Sequence, residues 1–309
     1  MPKSEIENSS STAVAVLGLG PMGQALATAI VSSGRPTVVW NRTEAKAARL
    51  VERGARLAPS PADAVCQAST VICCVMNYRS LSTILEAVND WSTTTLVNLT
   101  SGHSSEARAM GAWAAEHSVS YLEGAILTPA PTIGTSSASI LCSGPRPVFD
   151  RSRPILQTLA ASTMFVGEDH GAAAGYETAL LDLFATAVGG VAHAFAMATA
   201  ENIAPQAFAL LAKGIGGLLT EQIDRFADQL GEGHFPATVS SIASLSSTTE
   251  HIIEAAGVHG IDAGPLRALQ AIMGRAVAAG HGDDGYPKLA QLITEGNTNT
   301  HRHHRAPVG

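Results

Sequence analysis

GAAAGYETALLDLFATAVGGVAHAFAMATAE, residues Gly171–Glu201, holds no proline and is rich in alanine and leucine. It reads as one helix of 31 residues, which at 1.5 Å per residue spans roughly 45 Å, about the width of a domain. The chain differs on either side of it. Upstream, strand and turn signals surround a cluster of glycines; downstream, only helical patterns remain. One carboxylate, Glu177, lies near its start among apolar neighbours. The stretch therefore predicts a long helix joining an N-terminal α/β domain to an all-helical C-terminal domain.

Working outward, AVAVLG (13–18) is a short valine-rich run of the kind that forms a buried parallel strand. It runs directly into GLGPMG (Gly18, Leu19, Gly20, Pro21, Met22, Gly23), which opens a helical pattern through Ser32, and TVVW (37–40) follows as the next strand. Strand, glycine turn, helix and strand in this order make a dinucleotide-binding unit. The glycines permit the tight turn, the close approach of a pyrophosphate and the packing of helix on sheet. Where NAD binders place an acid for the ribose 2′-hydroxyl, this chain has Asn41-Arg42-Thr43, with Lys46 one turn on and no Asp or Glu between that strand and Glu44. Arg42 can pair with a 2′-phosphate and Thr43 can donate to it, so NADPH is the expected cofactor.

Further strands are predicted at TVICCV (70–75), TTLVNL (94–99), SYLEGAIL (120–127), SASILCSG (137–144) and STMFVG (162–167). Helices fall between them, near 44–53, 81–88, 104–117 and 149–160. The whole reads as a Rossmann-type doubly wound sheet. Beyond the long helix, others are expected from Pro205 to about Leu230, and near 240–256, 265–279 and 288–294. The domain boundaries that follow are a disordered tail at 1–12, the dinucleotide-binding domain at 13–170 and the interdomain helix at 171–201. A helical domain at 202–296 and a disordered tail at 297–309 complete the chain.

Composition bounds the function. Over 309 residues, 46% hydrophobic and 15% charged content excludes a disordered chain. A formal charge of −7 without a basic run argues against a nucleic-acid partner. The eighteen residues Leu183–Ala200 lack a formal charge, but they are mostly alanine, with paired glycines and His193. They read as a buried or interface helix, with no membrane role, and His193 as a satisfied core histidine. The polar start carries no signal peptide. Cys66, Cys73, Cys74 and Cys142 show no metal-ligand spacing, so no metal is expected and a reducing cytoplasm fits.

Two elements reach the carboxyl edge of such a sheet near a nicotinamide: the turn Asn98-Leu99-Thr100-Ser101-Gly102-His103, and the long helix at Glu177 with its neighbour Tyr176. The hydride comes from the cofactor, so the protein need only place the substrate and manage one proton or one positive charge. The four lysines are Lys3, Lys46, Lys213 and Lys288, which leaves none between 47 and 212. A hydroxy-acid dehydrogenase wants a cation for the substrate carboxylate and commonly a lysine or histidine as acid or base. A carboxylate in apolar surroundings suits a cationic iminium instead. C=N chemistry is expected over C=O chemistry.

GLGPMG, VVWNRT, NLTSG, GAILTPAPTIGT, GAAAGYETALL and GHGDDGYPKL together resemble the bacterial imine reductases and reductive aminases, relatives of the β-hydroxyacid dehydrogenases. The resemblance runs from about Ala13 to Thr294. It implies NADPH as cofactor (held by the glycine turn, Asn41, Arg42, Thr43, Lys46, Thr100 and Ser101) and an intertwined, domain-swapped homodimer whose 202–296 domain serves dimerisation and substrate binding. It also implies that Glu177 stands where related hydroxyacid dehydrogenases carry lysine and where imine reductases carry aspartate or tyrosine. Ala185 and His103 replace a tyrosine and a threonine usual in the family, and an aromatic is lost around Gly214–Leu218. The expected activity is NADPH-dependent reduction of a cyclic imine or iminium. Glu177 would stabilise charge or relay a proton, Ser101 would orient the substrate, and Tyr176 would stand as a reserve proton donor. A β-hydroxyacid-type dehydrogenase and a non-catalytic NADPH-binding protein stay open as alternatives.

Overall fold

The computed structural model describes residues 13–91 and 94–298, the last three by backbone alone. They divide into two compact units, one ending at Phe184 and the other beginning at Ala185, inside the long helix. The expected tail at 1–12 lies outside the described residues. So does the one at 297–309, except that residues 297 and 298 continue the final helix.

The first unit alternates strands and helices: β1 (Val14–Leu17), α1 (Pro21–Ser32), β2 (Thr37–Trp40), a 3-10 turn (Glu44–Ala47) leading into α2 (Ala48–Glu52), β3 (Arg56–Leu57), α3 (Pro61–Val65) and β4 (Thr70–Cys73). It continues with α4 (Tyr78–Leu85), β5 (Thr95–Asn98), α5 (Ser104–Glu116), β6 (Ser120–Ile126), β7 (Ser139–Ser143), α6 (Arg146–Leu159) and β8 (Ser162–Gly167). The sheet order is β3-β2-β1-β4-β5-β6-β7-β8, with every pair parallel except β6–β7. No α-helix lies between β6 and β7, so there is no crossover to bring the chain back in the same direction, and the pair is antiparallel.

The expected strands are all present, most trimmed by a residue or two. β3 and α3 are additions. At two and five residues they are too short to show a period in the sequence. Alternation within β1 feeds both faces of the sheet. Val14 and Val16 join a core with Leu26, Ile30 and Leu156, while Ala15 and Leu17 join one with Leu81, Leu85 and Leu96. Burial on both faces is what makes these strands continuous apolar runs. Chain order reverses between β1 and β4, and the crevice at that switch point is where open α/β sheets bind ligands.

The long helix α7 (Gly171–Ala200) belongs to both units. Its first turn is fastened to the sheet unit: Ala173 and Ala174 are buried, and the Asp169 carboxylate accepts from Gly171 N at 3.0 Å while pairing with Arg108 at 2.8 Å. In the second unit come α8 (Pro205–Glu232), α9 (Ile242–Val258), α10 (Gly264–Ala278) and α11 (Lys288–Thr298). Pro205 suits a first turn, and Gly233, at φ 67°, ends α8 in the left-handed region that glycine tolerates. Ile242, Met273, Ala276 and Leu289 form a small core. By length and composition α7 is apolar enough to cross a membrane, and Leu181, Phe184, Val188 and Val191 on it are exposed, as are Leu210, Leu211, Ile215 and Leu219 on α8. His193 is not satisfied as expected: its Nε2 is buried and has no hydrogen-bond partner among the described residues.

Candidate active site

The glycine turn bends because each glycine meets a different constraint. Gly18 adopts φ +97°, and a Cβ there would lie 2.3 Å from the Cys74 carbonyl oxygen. A Cβ on Gly23 would lie 1.9 Å from Gly18 O. Both glycines are required by the fold itself. Gly20 is different: its φ of −67° suits any residue, and a Cβ there would meet nothing of the protein within 4 Å. The chain gives no internal reason for glycine at this position, so the space above it is a cradle that a Cβ would fill. Pro21 opens α1 without an N–H, and Met22 and Gly23 supply first-turn amides that no carbonyl four residues back can reach. An anion is favoured at that helix end. Leu19 is buried in the core and its N–H donates to Asn41 Oδ1 at 2.9 Å.

Asn41 thus ties the glycine turn to the end of β2. Its Nδ2 donates in turn to Thr43 O at 3.0 Å, and Gly18 N donates to Trp40 O at 3.0 Å. Arg42, Thr43 and Lys46 are exposed beside this junction, and Lys46 sits in the 3-10 turn. A guanidinium, a hydroxyl and an ammonium group gathered there fit the 2′-phosphate of NADPH, and no carboxylate lies between the end of β2 and Glu44 to repel it.

At the end of β5 the chain turns through Thr100, Ser101 and Gly102 into α5. Ser101 is exposed, and its Oγ donates to Glu177 Oε1 at 2.8 Å, which joins the turn to the long helix. Glu177 is only 4% exposed. Burial pushes its carboxyl pKa upward and the Ser101 hydroxyl partly opposes that shift. Tyr176, by contrast, is 55% exposed, so the structure does not bury it alongside Glu177. Thr100 is buried: its N–H donates to Asn98 Oδ1 at 3.0 Å within the turn, and its Oγ1 accepts from Val75 N, just after β4, at 3.2 Å.

Beneath this turn lies a group that the sequence alone did not single out. Glu123, in the middle of β6, is 1% exposed and accepts from Tyr78 Oη at 2.9 Å, from Asn98 Nδ2 at 3.0 Å and from the Tyr121 hydroxyl. Burial raises its carboxyl to about 7 despite these three donors. A signal was present in the sequence: one acid in the middle of a mostly apolar seven-residue strand, on the same face as Tyr121 two residues earlier.

Comparison with known proteins agrees along the chain. Residues 13–167 match the NAD binding domain of 6-phosphogluconate dehydrogenase, and residues 169–295 match the C-terminal domain of NADPH-dependent reductive aminase-like proteins. The NADPH-dependent reductive aminase of Aspergillus oryzae is 29% identical over 92% of this chain and 97% of its own. An imine reductase from Myxococcus stipitatus, solved with NADP+, is 30% identical with a TM-score of 0.86, covering 91% of this chain and 99% of that one. One from Bacillus cereus is 31% identical with a TM-score of 0.85 over the same shares. With both halves matched in order and the fold shared throughout, this chain belongs to the imine reductase and reductive aminase family.

Proposed function

We propose that the chain reduces the C=N bond of an imine or iminium, probed best with cyclic substrates, at the turn and helix that bring Ser101 to Glu177. The observation that carries this reading is a buried carboxylate, held by a serine hydroxyl, in a sheet unit with no lysine after residue 46. Bound NADPH supplies the hydride. The first turn of α1, at Pro21, Met22 and Gly23, and the open space above Gly20 would hold its pyrophosphate, and Arg42, Thr43 and Lys46 its 2′-phosphate. Asn41, Leu19 and Thr100 support these contacts from within.

Glu177 acts on the substrate nitrogen. Its raised pKa lets the carboxyl carry a proton nearer neutrality than an exposed glutamate can, and its ionised form stabilises an adjacent cation. The Ser101 hydroxyl fixes Oε1 and leaves the second oxygen for the substrate. Tyr176 is the next proton donor to test if Glu177 is dispensable.

The apolar residues exposed on α7 and α8 are best covered by a second copy of the chain in a domain-swapped homodimer, with residues 202–296 serving dimerisation and substrate binding. Four free cysteines fit the reducing cytoplasm. The test is NADPH oxidation with 1-pyrroline, 1-piperideine and a dihydroisoquinoline, alongside β-hydroxy acids with NADP+. Glu177→Gln is expected to lower turnover of neutral imines by roughly 10²–10⁴-fold. A smaller loss on pre-formed N-alkyl iminium ions identifies a proton relay, and an equal loss identifies charge stabilisation. An unchanged rate on both, with intact folding, refutes the assignment.

A further inference from the structure

We propose that Glu123 is a positioning residue for this reaction: its carboxylate gathers Tyr78, Tyr121 and Asn98 and so fixes the turn that holds Ser101 against Glu177. The inference rests on the imine-reducing reading above and concerns a residue that touches neither Ser101 nor Glu177.

Two of the contacts that hold the turn lead back to this carboxylate, one through Asn98 and one through Tyr78. Asn98 is paired with Glu123 across the parallel β5–β6 ladder. Its Nδ2 donates to both Glu123 oxygens, at 3.0 and 3.2 Å, which obliges its Oδ1 to face away from them, and that Oδ1 accepts the Thr100 N–H. Tyr78 donates to Glu123 and lays its ring against Gly102, where a Cβ would come within 2.4 Å of the ring. The residues on each side of Ser101 are therefore set by two groups that Glu123 orients. At the far end of the turn, His103 N donates to Glu106 Oε2 at 3.2 Å. Ser101 is left as the member of the turn whose side chain reaches Glu177.

All three partners of Glu123 donate, so the site asks for an acceptor-only group. A glutamine there presents an NH2 to at least one donor. Relief requires Asn98 to turn its amide round, and then its oxygen no longer serves the Thr100 N–H. The disturbance is passed along hydrogen bonds to the turn, one residue from Ser101.

The test compares Glu123→Gln and the milder Tyr78→Phe, which removes the hydroxyl that ties the ring against Gly102 to Glu123, in the whole 309-residue chain. Three measurements are made: kcat and KM with 1-pyrroline, NADPH affinity by fluorescence titration, and a crystal structure of each variant. The expected result is a roughly 10–100-fold lower kcat, as for a misplaced catalytic group, with NADPH affinity within about twofold. In the variant crystals the 2.8 Å hydrogen bond from Ser101 to Glu177 should be broken or lengthened. In a Ser101→Ala background the loss from Glu123→Gln should shrink to about twofold, because the two residues act as one unit. An unchanged hydrogen bond in the Glu123→Gln crystal, or an undiminished loss in the Ser101→Ala background, overturns the proposal. If Glu123→Gln does not fold, the same two outcomes are read from Tyr78→Phe. An unmutated protein that oxidises NADPH with none of the imines sinks the functional reading instead, and the crystal structures still decide the role of Glu123.

Discussion

Alanine at each of the three glycines of the turn separates folding from cofactor binding. At Gly20 the backbone is extended, with φ −67° and ψ 179°, and the new methyl meets no protein atom within 4 Å. Alanine is a poorer N-cap than glycine by up to about 1 kcal/mol, while stiffening the unfolded chain returns about 0.4–1 kcal/mol. The two nearly cancel, so Gly20→Ala should keep its Tm within about 2 °C. At Gly18, a Cβ 2.3 Å from Cys74 O combines with φ +97°, and at Gly23 it lies 1.9 Å from Gly18 O. Backbone strain of about 1–3 kcal/mol adds there to overpacking of similar size, so both variants should melt well below the unmutated protein. Cofactor binding should follow a different order. If the space over Gly20 is for a pyrophosphate, its methyl should raise the NADPH Kd by about 10–100-fold, or roughly 1.4–2.7 kcal/mol. At NADPH of about 100 times the normal Kd, the ligand stabilises the unmutated protein by about 2.7 kcal/mol; a tenfold weaker variant gains about 1.4. Thermal melts with and without NADPH, plus fluorescence titration, read both quantities. Gly20→Ala binding NADPH with unchanged Kd would falsify the cradle.

Arg42→Ala should narrow the preference for NADPH over NADH by about 1.5–3 kcal/mol, the usual worth of a charged hydrogen bond, measured as the ratio of the two Kd values. Light scattering should give a dimer near 64 kDa, twice the 31.8 kDa chain, and a stable monomer at micromolar concentration contradicts the proposed cover of α7 and α8. Because burial raises Glu123 from 4.5 to about 7, its contribution to stability is full below pH 4.5 and lost as pH rises through 7. Across that window the unmutated protein should lose stability relative to Glu123→Gln. Denaturant titrations at pH 5 and pH 8 check the sign, and a gap that does not change with pH rules out the raised carboxyl.

Much of the molecule was legible in its sequence because the signals are local. Valine-rich runs of four to six residues, one glycine turn and a proline-free stretch of alanine and leucine each specify their element through backbone sterics and burial over a few neighbouring residues. The expectation of NADPH is local too, since it rests on Asn41-Arg42-Thr43 just after β2. The role of each glycine is not: Gly18, Gly20 and Gly23 look alike in the sequence, and only the positions of the Cys74 and Gly18 carbonyl oxygens show which two the fold demands. The hydrogen bond between Ser101 and Glu177 joins residues 76 positions apart, and Tyr176, adjacent to Glu177, is left exposed by the turn of the helix. Glu123 was least legible. Of its partners, the strand's own period points only to Tyr121; Tyr78 and Asn98 come from α4 and β5 and meet it only when the sheet assembles. Short-range sterics write an element into its own residues, whereas a buried carboxylate takes its meaning from donors that tertiary packing brings to it.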